Sequence, residues 1–171
     1  MQYFQVSYFG VDIRKEFEVE DLIKGISEKT IVSIKDKEYV AKAKAYYVTQ
    51  SSPKKWYVKV FFEGLYVLVL SPSDNFIYFG KDIGSIGYDY PTPKRIEFNG
   101  RIFKKITEDY QIMIKYDFGS PINIEGEVKF IDYECIDNDN LFVSVGLIVR
   151  TNSRADIYAE IVNLNDVRIK L

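Results

Sequence analysis

Apolar and polar side chains alternate with a period of two along most of this chain, which is typical of β-strands with one buried face. The pattern is clearest in residues 54–80, which read KKWYVKVFFEGLYVLVLSPSDNFIYFG. Its first run places Trp56 and Val58 on one face, and Tyr57 and Lys59 on the other. Turn-forming residues then interrupt the pattern twice, so we predict three consecutive antiparallel strands here.

The middle strand of these three, residues 65–70, is apolar at both parities of the alternation. A strand whose two faces are both apolar is predicted to be covered on both sides. Upstream, Ala41, Ala43 and Ala45 recur at every second position. This spacing predicts that three small side chains share one face, against which a large group packs.

Short strand-like runs continue through the rest of the chain, separated by turn signals about every 8–12 residues. The strongest of these signals is Asn99-Gly100, a dipeptide that favours tight hairpins. The predicted strands outside 54–80 are 3–9, 13–19, 30–34, 38–50, 95–98, 102–106, 110–116, 127–135, 141–149, 157–162 and 167–171.

Residues 20–26 are the one segment for which we predict a helix, since acids stand at its start and Gly25 near its end. The predicted fold class is therefore all-β, with antiparallel meanders in two halves forming a sandwich or partly open barrel, and at most one short helix near the N-terminus. We predict a single all-β domain over residues 1–171. The alternative is two coupled halves, 1–80 and 94–171, joined by 81–93.

Composition indicates a folded chain and excludes several kinds of chemistry. Hydrophobic residues make up 47% of the chain and aromatic residues 16%, which suffices for a core. The chain has no histidine, which excludes Cys-His and Ser-His catalytic pairs and nearly every zinc site. Its one cysteine, Cys135, is predicted to be a small buried apolar residue. We therefore predict a protein that is not an enzyme and has no cofactor.

Two groups of acidic residues resemble parts of metal sites. One contains Asp132, Glu134, Asp137 and Asp139, but it lacks the glycine and the terminal Glu of a calcium loop. A solvated turn is therefore favoured, and no metal site is predicted. The other group is Asp117 followed by Glu127-Val128-Lys129, an order found in a class of metal-dependent nucleases. Because that class needs helices around its sheet, a metal-dependent nuclease is the less favoured alternative.

Lysines are dense between residues 29 and 59, where few acids accompany them and aromatic residues are interleaved. Such side chains on one sheet face can bind single-stranded nucleic acid or another anionic ligand, although the net charge of -2 argues against bulk electrostatic binding. A solvated face whose edge lysines discourage aggregation is the favoured interpretation. The candidate binding residues are Lys42, Lys44, Tyr46, Lys55, Tyr57 and Lys59.

Three stretches together resemble an uncharacterised prokaryotic all-β domain family that has no assigned activity. They are Trp56-Tyr57 leading into residues 65–70, then residues 96–103 around Asn99-Gly100-Arg101, and residues 126–159 with Gly126-Glu127-Val128, Asp132-Tyr133-Glu134, 141–145 and Asp156-Ile157-Tyr158-Ala159. The resemblance covers about residues 30–170, and members commonly have Gly where this chain has Ala159. It implies a β-rich binding or scaffolding module and supplies no catalytic residue.

The favoured function is a non-enzymatic binding or scaffolding module that acts through protein–protein contacts, with a protein partner or by self-association. The alternative is nucleic-acid or anionic-ligand binding through the lysine and aromatic face. The sequence shows neither a signal-peptide pattern nor an apolar run of about 20 residues. The predicted location is therefore the cytoplasm, without membrane insertion.

Overall fold

A computed structural model describes residues 7–8, 11–50, 53–72, 76–107, 110–119 and 126–171. Helix α1 spans Ile13–Gly25, and a 3-10 turn spans Leu164–Asp166. The strands are β1 (Ser7–Tyr8), β2 (Val11–Asp12), β3 (Ile31–Ile34), β4 (Lys37–Thr49), β5 (Trp56–Phe62), β6 (Tyr66–Ser71), β7 (Phe76–Gly84), β8 (Arg95–Phe98), β9 (Arg101–Lys105), β10 (Tyr110–Phe118), β11 (Gly126–Cys135), β12 (Asn138–Ile148), β13 (Ser153–Arg154), β14 (Asp156–Ile161) and β15 (Val167–Ile169).

Eight of these strands close into a ring, in the order β4, β5, β6, β7, β14, β12, β11 and β10, because β10 pairs back to β4. Every pairing around the ring is antiparallel. The fold is therefore all-β, as predicted. Strands from before and after residues 81–93 share the ring, since β4 bonds to β10 and β7 bonds to β14.

The three strands predicted in residues 54–80 are β5, β6 and β7, which pair in sequence order. β6 is covered on both faces, which confirms the prediction from its apolar pattern. Leu68 and Leu70 belong to a core outside the ring, while Val67 and Val69 face its interior. The doubly apolar strand therefore forms a wall between two packed regions.

A layer outside the ring covers β5, β6 and β7. It consists of α1, β3 and β15, and β3 also pairs with the first part of β4. Val60, Phe62 and Leu68 are fully buried in the core beneath this layer. The main apolar core therefore lies outside the ring. The interior of the ring can consequently hold polar and ionisable side chains as well as apolar ones.

Residues 13–19, predicted as a strand, belong to α1, so that prediction is wrong and the helix begins well before residue 20. The buried apolar residues here recur every three or four positions, which is the spacing of one helix face. They are Val19, Leu22, Ile23 and Ile26. Of the predicted strand 3–9, residues 3–6 and 9 lie outside the described residues. Within the described part of the chain, no helix has the length and apolar character needed to cross a membrane.

A β-bulge in β4 separates the three alanines. The pairing of β4 with β5 shifts register between Ala41 and Ala43. Ala41 consequently joins the outer core with Phe62, while Ala45 packs inside the ring beside Tyr47. The prediction that the alanines share one face is wrong, because a bulge moves the residues after it to the opposite face.

A second outer core lies where the β8–β9 hairpin packs beside β11 and β12. Phe103 and Tyr133 are fully buried in it. The Tyr133 hydroxyl donates a hydrogen bond to the carbonyl of Pro93 at 2.6 Å, which attaches the segment before β8 to the ring. Cys135 is buried in the same core, as predicted.

A buried carboxylate, Asp156 at the irregular start of β14, joins three parts of the chain. Its Oδ1 accepts hydrogen bonds from the Gly146 amide and from Arg154 Nε, both at 3.0 Å. Its Oδ2 accepts from the Ile86 amide at 2.9 Å and from Arg154 Nη2 at 2.6 Å. Arg154 Nη1 also donates to the Tyr88 carbonyl at 2.6 Å. One ion pair therefore holds β12, β14 and the segment after β7 together.

Candidate functional site

The interior of the ring combines aromatic, small and ionisable side chains. Alternate residues of each strand point inward, among them Tyr57, Lys59 and Phe61 of β5. Small inward residues on other strands, such as Ala45 and Ala159, leave space between the larger ones. A ring of about eight strands is wide enough either to be filled by side chains or to hold one small ligand.

A cavity of about 440 Å³ occupies one end of this interior. Trp56 and Phe76 line it and are themselves 37% and 40% exposed, so the cavity reaches solvent at this end. Most of its wall area is apolar, and polar and charged residues also line it, among them Lys55, Asp132 and Ser144. The lining includes Tyr57, Val69, Ser71, Tyr78, Phe142 and Ile157.

Lys59 lies on the wall of this cavity, and only 5% of its surface is exposed. Its Nζ is 4.2 Å from the ring centre of Phe130 and 4.8 Å from that of Tyr47. Within the described chain, Lys59 makes no hydrogen bond and no ion pair. Lysines are almost never buried without a partner, so a buried and unpaired amine beside a cavity marks a candidate functional group.

Burial lowers the pKa of Lys59 from 10.5 to about 8, because the charged amine is removed from water. The negative charges of Asp132 and Asp82 act in the opposite direction and keep the pKa from falling further. Asp132 is itself held by Ser144, whose Oγ donates to Oδ1 at 2.7 Å. At neutral pH the amine is therefore mostly protonated, and it loses its proton far more readily than an exposed lysine.

Stacked and tilted aromatic rings lie beside the amine and along the wall of the cavity. Tyr47 stacks on Tyr57 with ring centres 5.0 Å apart, and Tyr78 lies 4.1 Å from Phe142. Burial raises the pKa of Tyr47 well above its usual value, so this phenol stays neutral. A smaller void of about 20 Å³ lies deeper beside Lys59, with room for one water molecule.

The six predicted binding residues do not share one face. Tyr57 and Lys59 point into the ring, whereas Lys44 is buried under α1. The reason is that closure turns one face of a sheet into an interior, which a flat-sheet interpretation does not foresee. The cavity brings together Lys55, Tyr57 and Lys59. The remaining two are Lys42, which is exposed, and Tyr46, which is half-buried.

Lys44 has a structural role at the C-terminal end of α1. Its Nζ donates to the carbonyls of Ile23 and Ile26, both at 2.8 Å, and lies 3.1 Å from Asp117 Oδ2. These carbonyls close α1 and the turn after it, where a cation is favourable. Lys44 therefore attaches α1 to the wall of the ring.

Replacing Lys44 with Met is expected to lower the free energy of unfolding by about 2 kcal/mol, because two buried carbonyls lose their donor. Equilibrium urea unfolding measures the loss. The matched control is Lys42→Met on the same strand, where the side chain is exposed and the expected change is within about 0.5 kcal/mol. Equal losses in the two variants would contradict a specific role for Lys44.

The predicted acidic groups lie apart from the cavity, with the exception of Asp132. Asp137 is exposed, forms an ion pair with Arg101 at 3.2 Å, and accepts a hydrogen bond from the Cys135 thiol that lowers the pKa of Asp137. Asp117 is paired with Lys44. In the part of the chain that the structure describes, no group of three or more Cys, Asp and Glu is placed to hold a metal ion. The nuclease alternative remains a prediction.

Sequence reasoning included Lys59 but placed it on a solvated face. A signal was present, since Lys59 stands between Tyr57 and Phe61 on its own side of β5. A single lysine flanked by aromatic residues at both neighbouring same-face positions is unusual for a solvated surface. The other contributors, Asp82, Asp132 and Ser144, come from three distant strands and were not connected by any local pattern.

Comparison with known proteins found no relative of this chain. Neither a family model, nor a curated protein, nor a solved structure shows a significant match to this chain.

Proposed function

We propose that this protein binds a small molecule inside the ring of strands, and that the ligand has an apolar, aromatic body and an anionic or hydrogen-bond-accepting group directed at Lys59. The observation that carries the proposal is the position of Lys59, which lines an open cavity and whose amine is buried without a hydrogen bond or an ion pair in the described chain.

The size and lining of the cavity fit such a ligand. A volume of about 440 Å³ lies within the usual range for small-molecule sites. Tyr57, Tyr78 and Phe142 offer faces and edges on which an aromatic body packs. Most of the wall area is apolar, which is typical of sites where apolar walls supply affinity and a small number of polar groups set orientation.

The positive charge of Lys59 favours a ligand that presents a hydrogen-bond acceptor over one that presents a donor. The protonated amine lies against two aromatic rings and is acted on by Asp132 and Asp82, but it has no hydrogen-bond acceptor within the described chain. A ligand carboxylate supplies that missing hydrogen bond. Lys55 and Asp132 also line the cavity, but both have interaction partners, so Lys59 is the ionic group of this wall that has no hydrogen bond and no ion pair within the described chain. Of the sequence-based alternatives, anionic-ligand binding is therefore the one that this geometry supports, with the binding face turned inward.

Naphthoate is a suitable probe, and naphthalenemethanol is its neutral counterpart of similar shape. Trp56 is the only tryptophan of the chain and lines the cavity, so its fluorescence reports occupancy. We expect naphthoate to bind more tightly than the alcohol. Lys59→Met is expected to weaken naphthoate binding by about tenfold or more and to leave binding of the alcohol nearly unchanged.

The matched control for this titration is Lys54→Met, which removes an exposed lysine that does not line the cavity. Its affinity for naphthoate is expected to equal that of the unmodified protein. The proposal is contradicted if neither probe binds, or if naphthoate binds equally well to the Lys59→Met variant. Protein–protein contact and nucleic-acid binding remain predictions from the sequence.

A further inference from the structure

We propose that Lys59 is also a covalent binding site, at which the ε-amine forms a reversible imine with aldehydes that enter the cavity. This inference rests on the proposed function, because the aldehyde must first occupy the cavity. It goes beyond that function by assigning a chemical reaction to the amine and a class of ligand, carbonyl compounds with an aromatic body.

The geometry of the amine suits this reaction. Lys44 and Lys59 are both almost fully buried, but Lys44 donates to two carbonyls and lies beside a carboxylate. Lys59 instead faces the rings of Phe130 and Tyr47 and, within the described residues, forms no hydrogen bond that would hold its nitrogen lone pair or its protons. Lys59 lines both the small void beside these rings and the open cavity, so no hydrogen bond among the described residues has to break before the amine turns towards a carbonyl carbon in the cavity.

The step is balanced without any further reactant. The neutral amine adds to the aldehyde carbon, a carbon–nitrogen bond forms, and the carbonyl oxygen becomes a hydroxyl as it takes up a proton from the nitrogen. The resulting carbinolamine loses that hydroxyl with the remaining nitrogen-bound proton as one water molecule, which leaves a carbon–nitrogen double bond. No electrons are gained or lost, and hydrolysis reverses the step.

The surroundings supply the neutral amine that the addition needs. Burial lowers the pKa of Lys59 to about 8, so at about pH 7.5 its neutral fraction is on the order of a hundredfold larger than that of an exposed lysine. The charged and titratable groups that act on it are Asp132 on β11, Asp82 on β7 and the phenol of Tyr47 on β4. The two carboxylates favour the positive charge that a protonated imine carries.

The experiment uses the full chain with naphthaldehyde and sodium cyanoborohydride, which reduces an imine to a stable secondary amine. Proteolysis and mass spectrometry then give the initial labelling rate at each lysine. At about pH 7.5 we expect Lys59 to be labelled about tenfold or more faster than the exposed Lys42 and Lys54. Excess naphthoate is expected to slow labelling at Lys59 and to leave the exposed lysines unaffected.

Lys59→Arg is the variant that separates the covalent step from binding, because arginine keeps the positive charge but provides no primary amine. We expect Lys59→Arg to lose the fast label while still binding naphthoate, with Lys54→Arg as the matched control that retains the label. If naphthoate binds but Lys59 reacts no faster than Lys42, the covalent inference is overturned and the proposed function stands. If neither probe occupies the cavity, both are overturned.

Discussion

Replacing Asp156 with Ala is expected to lower the free energy of unfolding by about 3–5 kcal/mol. The carboxylate is fully buried and accepts hydrogen bonds from two backbone amides as well as from Arg154. Its removal leaves a largely buried guanidinium without its counter-charge, together with two buried N–H groups without acceptors, and both are costly. Equilibrium denaturation with urea or guanidinium chloride measures the difference.

The matched control is Asp139→Ala, which removes an exposed aspartate at the start of β12 and is expected to change stability by less than about 0.5 kcal/mol. Asp156→Asn is expected to fall between the two, because the amide keeps one acceptor oxygen and loses the charge. A loss below about 1 kcal/mol for Asp156→Ala would contradict the account, since it would mean that the ion pair is not needed to hold β14 to β12.

Replacing Lys59 with Met is expected to raise the free energy of unfolding by about 3 kcal/mol at about pH 7. In the unfolded chain the amine has its usual pKa near 10.5, whereas in the folded chain the pKa is about 8. The folded state therefore binds its proton less tightly than the unfolded state. This difference destabilises the protein at every pH below the unfolded value. Methionine fills a similar volume without a charge to bury.

The gain is expected to shrink as the pH rises. The destabilisation by Lys59 is complete below the folded pKa of about 8 and disappears as the pH approaches the unfolded value of 10.5. Between about pH 7 and about pH 9.5, the stability of the unmodified protein should therefore rise by about 2 kcal/mol relative to Lys59→Met. Paired denaturation curves at several pH values check this. A variant that is less stable than the unmodified protein, or a pH-independent difference, would contradict it.

These two replacements distinguish two uses of a buried charge. Asp156 is satisfied on all sides and stabilises the fold. Lys59 has no such partners among the described residues, and its lowered pKa predicts that the fold is less stable for carrying it. A purely structural role does not explain a group that lowers stability beside an open cavity, whereas a binding function does.

Much of the fold was predictable from local patterns. The turn residues around Gly64 and the alternation in β5 sufficed to predict the three-stranded meander, and the two-sided apolarity of β6 predicted its burial on both faces. The helix was predicted too short, because its buried residues Val19 and Ile23 follow a helical period that the strand interpretation of residues 13–19 overlooked. Both outcomes depend on residues close together in sequence.

Closure of the ring was not predictable in the same way. It requires β4 to pair with β10 and β7 to pair with β14, and these partners are distant in sequence. The alternation separates Tyr57 and Lys59 from Val58 and Val60, but both faces of β5 contain apolar residues. Which face becomes the interior therefore depends on the outer layer of α1, β3 and β15, so the cavity follows from tertiary packing.

The bulge in β4 illustrates a further limit. Strict alternation places Ala41 with Ala45, and one extra residue is enough to send Ala41 to the outer core. Bulges have no reliable local sequence signature at non-glycine positions. When the alternation is counted along a strand through an unrecognised bulge, every residue after the bulge is assigned to the wrong face. The candidate site was recognisable only in part for this reason.

The most direct measurement is the titration of the Lys59 ε-amine by NMR of selectively labelled lysine side chains, with the signal assigned by its absence in Lys59→Arg. A desolvated, unpaired amine on the wall of the cavity is expected to titrate with a pKa of about 8 and to move upward when naphthoate binds. A pKa at or above the usual 10.5 that naphthoate leaves unchanged would mean that the amine is hydrated or already paired. That result would contradict the proposed binding site at Lys59.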